Sequence, residues 1–242
     1  MNSNVGATHK EKNIYLWLTK FTNRNKKPEK TFCGTESRSL RTPSTDTTKH
    51  IATMNHPIRF TTPEEAVKVI KSGDHVHLSS VASVPQILVR AMTARGEAGE
   101  LQHVHIHHLH TEGEALYAVP EMEGIFQLDS FFVGGNVRNI TQQGFADYIP
   151  VFLSETQRLY RDGILPCNVA MIQVSTPDRH GYVSLGTSVD ATLAAVECAD
   201  TVIAVVNRHV PRSFGDSFIH TSQIDLFVED DTPLMEAHFT EP

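Results

Sequence analysis

The residues best equipped for chemistry are histidines, and five of the fourteen crowd into His103-Val104-His105-Ile106-His107-His108-Leu109-His110. On a strand, period-two alternation puts His103, His105 and His107 on one face and turns His108 and His110 to the other. Three imidazoles then line up as candidate metal ligands. Distance argues against it, because alternate residues on one strand sit ~6.5–7 Å apart. No cysteine or acidic triad with ligand spacing accompanies them. The expectation is packing or strand-edge histidines with no metal; a metal-dependent hydrolase built on the cluster is a rival.

Four loops offer other chemistry. Ser79-Ser80-Val81-Ala82-Ser83-Val84-Pro85 leaves a strand for a helix with Pro in its first turn, where free N–H groups suit a carboxylate or phosphate. It has no glycine, so it is either such a cradle or a plain turn, and a nucleotide fingerprint is not supported. Val133-Gly134-Gly135-Asn136-Val137-Arg138 ends a strand in a glycine pair that lets a ligand come close. Arg138 is then a fork for a carboxylate or a solvated side chain on a surface turn. Residues 175–186 and 207–216 mix Pro, Gly, His and charge after two further strands. Ser, His and Asp occur there, but no Gly-x-Ser-x-Gly elbow marks a serine hydrolase.

The elements that must position these loops alternate in type. Thr62-Pro63-Glu64-Glu65 opens a capped helix running to Lys71, and a helix from Pro85 to Arg95 separates strands predicted at 75–79 and 101–109. Short β-rich runs follow at 126–133, 148–152, 168–174, 201–207 and 224–228, with an Ala-rich helix over 190–199. Strand, long loop, helix, strand is the crossover unit of a mostly parallel sheet. The expected fold is therefore α/β: an open, mostly parallel sheet flanked by helices.

Composition closes off several classes. With 242 residues, 40% hydrophobic and 20% charged, the chain has ample material for a core, and no apolar run approaches a membrane span. Three cysteines without paired spacing point to a reducing compartment. Residues 1–53 carry a net +6 and residues 54–242 a net −13. So acidic a body repels phosphate backbones and makes nucleic acid a poor partner. The basic front reads as a disordered extension over 1–53: a mitochondrial presequence, a regulatory arm, or sequence ahead of a start at Met54.

The motifs taken in order resemble the acetyl-CoA hydrolase/transferase family, which includes 4-hydroxybutyrate and other acetate-dependent CoA-transferases. The resemblance runs through His107, Leu109-His110-Thr111, Ser130–Gly134, Ala146–Glu155, Leu165-Pro166, Gln173-Val174-Ser175, Asp178, His180-Gly181-Tyr182, Ser184-Leu185-Gly186, Ser188-Val189-Asp190 and Pro211-Arg212, ending in Gly215–His220. It covers about residues 58–238 and implies the first of two similar α/β halves facing across a cleft, with the catalytic second half absent. The implied chemistry moves CoA between an acyl-CoA and a short-chain carboxylate such as acetate, or to water, with CoA as a substrate and no cofactor. A glutamate nucleophile of the second half forms a mixed anhydride and then a glutamyl-CoA thioester. His110-Thr111-Glu112-Gly113 echoes that nucleophile's context, which makes Glu112 its structural counterpart and leaves this half without a catalytic residue. By resemblance Ser83, Gly134, Gly135 and Arg212 border the acyl or carboxylate end, with Arg138 and Arg212 as anion-recognition candidates. The implied partners are the C-terminal half and further copies of the protein, in the cytoplasm or, if the front is a presequence, in mitochondria. The competing class is a truncated, non-catalytic binding module.

Overall fold

A computed structural model describes residues 58–236, which fall in one compact unit. The predicted extension over 1–53 lies outside the described residues. Strands β1 (His75–Leu78), β2 (Val104–His108), β3 (Phe126–Ser130), β4 (Ala146–Tyr148), β5 (Val169–Val174), β7 (Thr201–Val206) and β9 (Leu226–Glu229) form one sheet in the order β4-β3-β2-β1-β5-β7-β9. Every pairing in it is parallel, which agrees with the sequence reading. β6 (Tyr182–Ser184), inside the segment read as a loop over 175–186, and β8 (Phe218–His220), just beyond the one over 207–216, form a separate antiparallel pair.

Five α-helices are described: α1 (Pro63–Ala66), α2 (Gln86–Glu97), α3 (Arg138–Gln143), α4 (Thr156–Arg161) and α5 (Thr192–Cys198). Thr62 caps α1 by accepting from the Glu65 amide at 3.2 Å, with Pro63 in the first turn. The predicted helix to Lys71 ends early, because residues Val67–Val69 tighten into a 3₁₀ turn. The predicted strand 148–152 is displaced to Ala146–Tyr148, since Pro150 has no N–H to give a ladder.

Val76, Leu78, Val104, Ile106, Phe126, Leu128, Val169 and Met171 put one sheet face into a continuous apolar core with Leu88, Val89 and Met92 of α2. Each such side chain, fully buried, contributes about 1.5–3 kcal/mol. Alternation sends His75, His77, His105, His107 and Asp129 to the opposite face, where α4 and α5 bring Tyr160 and Thr192 onto His77.

Candidate functional site

The strand order creates one special place. From β1 the chain builds outward through β2, β3 and β4, then returns to lay β5 on the other side of β1 and moves on to β7 and β9. Loops leaving β1 and β5 therefore part company, and the gap outside their carboxyl ends is where open α/β sheets bind ligands.

The Ser79–Pro85 loop forms the floor of that gap and is tied on three sides. The Ser79 amide donates to the Met171 carbonyl at 3.1 Å, and the Val81 amide donates to His110 O at 2.7 Å. Ser83 Oγ and Thr187 Oγ1 lie 2.7 Å apart, joining the β1 loop to the loop after β6. Val81 pays for this closure with a φ of 51°, an outlier for a β-branched residue of the kind concentrated at functional sites. Around the same loops Ser79 Oγ, Ser80 Oγ, Gln86 Oε1 and Ser188 Oγ are buried with no hydrogen-bond partner among the described residues. Unspent polar capacity of that kind calls for an explanation, and a ligand is one.

The end of β2 makes the adjoining wall. His110 Nε2 stands 3.1 Å from Glu112 Oε1, both side chains partly exposed. Gln86 donates to Glu112 O at 3.0 Å, and Asn136 Nδ2 donates to Thr111 Oγ1 and Gly113 O, each at 3.2 Å. Gly134 belongs here: a Cβ on it would stand 2.7 Å from His110 Cδ2, so only glycine lets the β3 loop lie against the ring. Of the residues singled out from sequence, the fold thus brings Ser83 and Gly134 to the crevice. Gly135 is exposed, with nothing within 4 Å of its would-be Cβ.

The two arginines are placed differently. Arg138 is exposed at the first residue of α3 and makes no ion pair among the described residues. Arg212 is engaged inside the chain: it donates to Thr176 O and Tyr182 O at 3.2 Å, meets Asp178 at 3.2 Å and lies 5.0 Å from the Phe218 ring centre. It clamps the β5 loop to the β6–β8 pair. Amides of Tyr182 and His180, with Arg212 beside them, hold the Asp178 carboxyl below its usual range.

The histidines divide into three kinds. His103 is not in β2; it is exposed, precedes the strand at φ 54°, and so does not line up with His105 and His107 as alternation predicted. His77 and His108 are core residues, both held down at about 3 chiefly by burial. His77 is satisfied by Tyr160 at 3.0 Å and Thr192 at 3.1 Å, whereas neither ring nitrogen of His108 has a partner among the described residues. The third kind is a cluster: His75 Nδ1 is 3.1 Å from His107 Nε2, and Asp129 Oδ2 is 2.7 Å from His105 Nδ1 and 3.4 Å from His107 Nε2.

Within the cluster, burial lowers His75 to about 4. The hydrogen bond to Asp129 raises His105. Burial alone would raise Asp129, but its bonds to His105 and His107 outweigh that and hold it at about 2. One ligand atom from each of His75, His105, His107 and Asp129 falls within 4.8 Å of all the others. Sequence reasoning missed His75 and Asp129. The available signal was a second His-x-His, His75-Val76-His77, on the strand that pairs with His105-Ile106-His107.

A seven-stranded parallel sheet whose order reverses direction between β1 and β5 defines an open α/β domain. The chain belongs to the acetyl-CoA hydrolase/transferase family, whose N-terminal domain matches residues 45–236. It is 39% identical over 178 residues to 4-hydroxybutyrate coenzyme A transferase of Clostridium kluyveri, covering 74% of this chain and 41% of that protein. It is 36% identical over 173 residues to the succinyl-CoA:acetate/propanoyl-CoA:succinate CoA transferase of Fasciola hepatica, covering 72% and 36%. The crystal structure of RipA from Yersinia pestis superposes with a TM-score of 0.71 at 29% identity, over 76% of this chain and 45% of that one. The chain thus spans 36–41% of the length of these two curated relatives. No helix among the described residues is long and apolar enough to cross a membrane.

Proposed function

We propose that this chain forms one wall of the cleft of a CoA-transferase moving CoA between an acyl-CoA and a short-chain carboxylate such as acetate. The observation that carries the reading is the crevice at the β1/β5 switch point, where Ser79, Ser80, Gln86 and Ser188 hold buried polar atoms without partners. The family membership and the CoA-transferase relatives support it. In the proposed reaction a glutamate of the second half attacks the thioester carbonyl, expelling CoA as thiolate and leaving a mixed anhydride. The thiolate then attacks the glutamyl carbonyl, releasing the first carboxylate, and the acceptor carboxylate takes CoA in the reverse sequence.

The part of this half is to border the acyl end with Ser83, Gly134 and Gly135 and to present hydrogen-bond donors to developing negative charge, worth about 3–4 kcal/mol per donor. Arg138, exposed and without an ion pair among the described residues, is available to an anionic acceptor, while Arg212 shapes the neighbouring loop through its internal bonds. Phe132, Phe152, Leu153 and Phe214, exposed on loops after β3, β4 and β7, fit a face that meets the second half or another copy. A cytoplasmic location accompanies this reading.

The test mixes the chain with acetyl-CoA and a carboxylate acceptor, with and without a separately made second half. Transfer only in the mixture is expected. Transfer by the chain alone, abolished in Glu112→Gln, would move the nucleophile to Glu112. Binding without turnover under both conditions would make this a binding module.

A further inference from the structure

We infer that His75, His105, His107 and Asp129 form a closed, zinc-type divalent metal site on the sheet face opposite the apolar core. The ligand atoms come from three neighbouring strands, His75 from β1, His105 and His107 from β2, and Asp129 from β3, brought together by the register His75↔His105 and His107↔Asp129. Around a tetrahedral zinc with bonds of about 2.0–2.2 Å, neighbouring ligand atoms stand about 3.3–3.5 Å apart. The separations here are 3.1 Å for His75–His107, 3.4 Å for His107–Asp129 and 2.7 Å for His105–Asp129, and no pair exceeds 4.8 Å. Small rotations of the rings complete the tetrahedron.

The spacing objection fails for a physical reason. It measured backbone separation along one strand, whereas an imidazole is long enough for rings two residues apart to tilt toward a common point. The strands on either side supply the remaining donors.

Two further observations favour a cation. His107 is fully buried, and its Nε2 points at both His75 and Asp129 while its Nδ1 has no partner among the described residues. Accessibility is also graded across the site, from His107 at 0% side-chain exposure through Asp129 at 14% to His105 at 35%, which leaves an entry path from solvent. Three imidazoles and one carboxylate are a donor set for zinc and its neighbours rather than for calcium or magnesium, which take oxygen ligands. Four protein ligands leave no open position for a water nucleophile, so the site ties β1, β2 and β3 together and does not hydrolyse anything.

The experiment uses the full chain, stripped with chelator and titrated with Zn²⁺ or Co²⁺ alone, with no CoA compound present, so its outcome is independent of the transferase reading. About one equivalent of zinc retained through gel filtration, and a cobalt complex with the intense visible bands of four-coordinate geometry, are expected. Both are read on the unmodified chain and need no variant to fold. His105→Gln and His75→Gln, at partly exposed positions, should each weaken binding more than about 10-fold, at least the loss caused by removing an outer partner of a ligand. His103→Asn, in the same histidine-rich segment but outside the cluster, should bind as the parent does. A parent chain that retains no zinc, a six-coordinate cobalt spectrum, or equal losses in His103→Asn and His105→Gln would overturn the site and leave the cluster a hydrogen-bonded network.

Discussion

The two faces of strands β1, β2 and β3 are built from the same short segments and carry opposite chemistry. Val76, Leu78, Val104, Ile106, Phe126 and Leu128 point one way into an apolar core, while His75, His77, His105, His107 and Asp129 point the other. On the apolar face a residue's contribution is nearly its own, because burial is non-directional and roughly proportional to area. On the histidine face it depends on what stands one strand away. His77 becomes an ordinary core residue because Tyr160 and Thr192 reach both its nitrogens, whereas His105 and His75 stack at 4.4 Å and are left to each other, His107 and Asp129. Polar function in a sheet is thus written in register as much as in sequence.

The sharpest way to break this comparison is to cut the two faces at neighbouring positions. Ile106→Ala removes a fully buried side chain and should cost about 2–5 kcal/mol, read as a fall in the urea midpoint. His105→Ala in chelator-treated protein should cost less than about 1 kcal/mol, since the ring is a third exposed and its ion pair with Asp129 is partly screened. Equal losses would mean that the histidine face carries as much of the fold as the core does.

A second substitution sharpens the contrast from inside the apolar face. His108 projects into that core, 5.9 Å from the Tyr117 ring centre, with neither ring nitrogen partnered among the described residues. A buried polar group without partners costs about 1–3 kcal/mol, and replacing it with an apolar group of similar size removes that cost. His108→Leu should therefore raise the urea midpoint; a lower one would show that the His108 ring is held by a hydrogen bond in solution.

What could be read from the sequence follows the same division. The parallel sheet, α2 and the Thr62 cap were legible because period-two and period-3.6 patterns and capping residues act over a few neighbours. The β6–β8 pair was not: Tyr182–Ser184 and Phe218–His220 are three-residue strands lying in segments rich in Gly, Pro and charge, with no run long enough to alternate. Ser83 and Gly134 drew attention because small residues at strand ends signal close approach, and both lie in tight contacts, Ser83 with Thr187 and Gly134 with the His110 ring. The role of Arg212 was not evident, because its partners Thr176, Asp178 and Tyr182 lie 30–36 residues earlier in the chain. The four-residue cluster was invisible to any argument confined to one strand, and His103, one of the three candidates such an argument weighed and set aside, stands outside β2 altogether.

The smallest expected effect lies at the carboxyl edge, where a charged group sits in solvent. Amide donors from Tyr182 and His180 at 2.9 and 2.8 Å, and Arg212 beside them, favour the ionised form of Asp178 and depress its pKa in the folded chain. Because the folded value lies below the unfolded one, the unfolded chain takes up the proton first as the solution is acidified. The resulting stability is fully present above the unfolded carboxylate range and is lost as the pH falls through the folded pKa. Thermal unfolding of the parent and of Asp178→Asn should therefore differ most at neutral pH and converge in acid, with the parent the more stable. Solvent screening keeps the difference small. A gap that widens on acidification would reverse the sign and show that the turn is held by its neutral form, placing the Arg212 clamp under a different control from the buried charges on the histidine face.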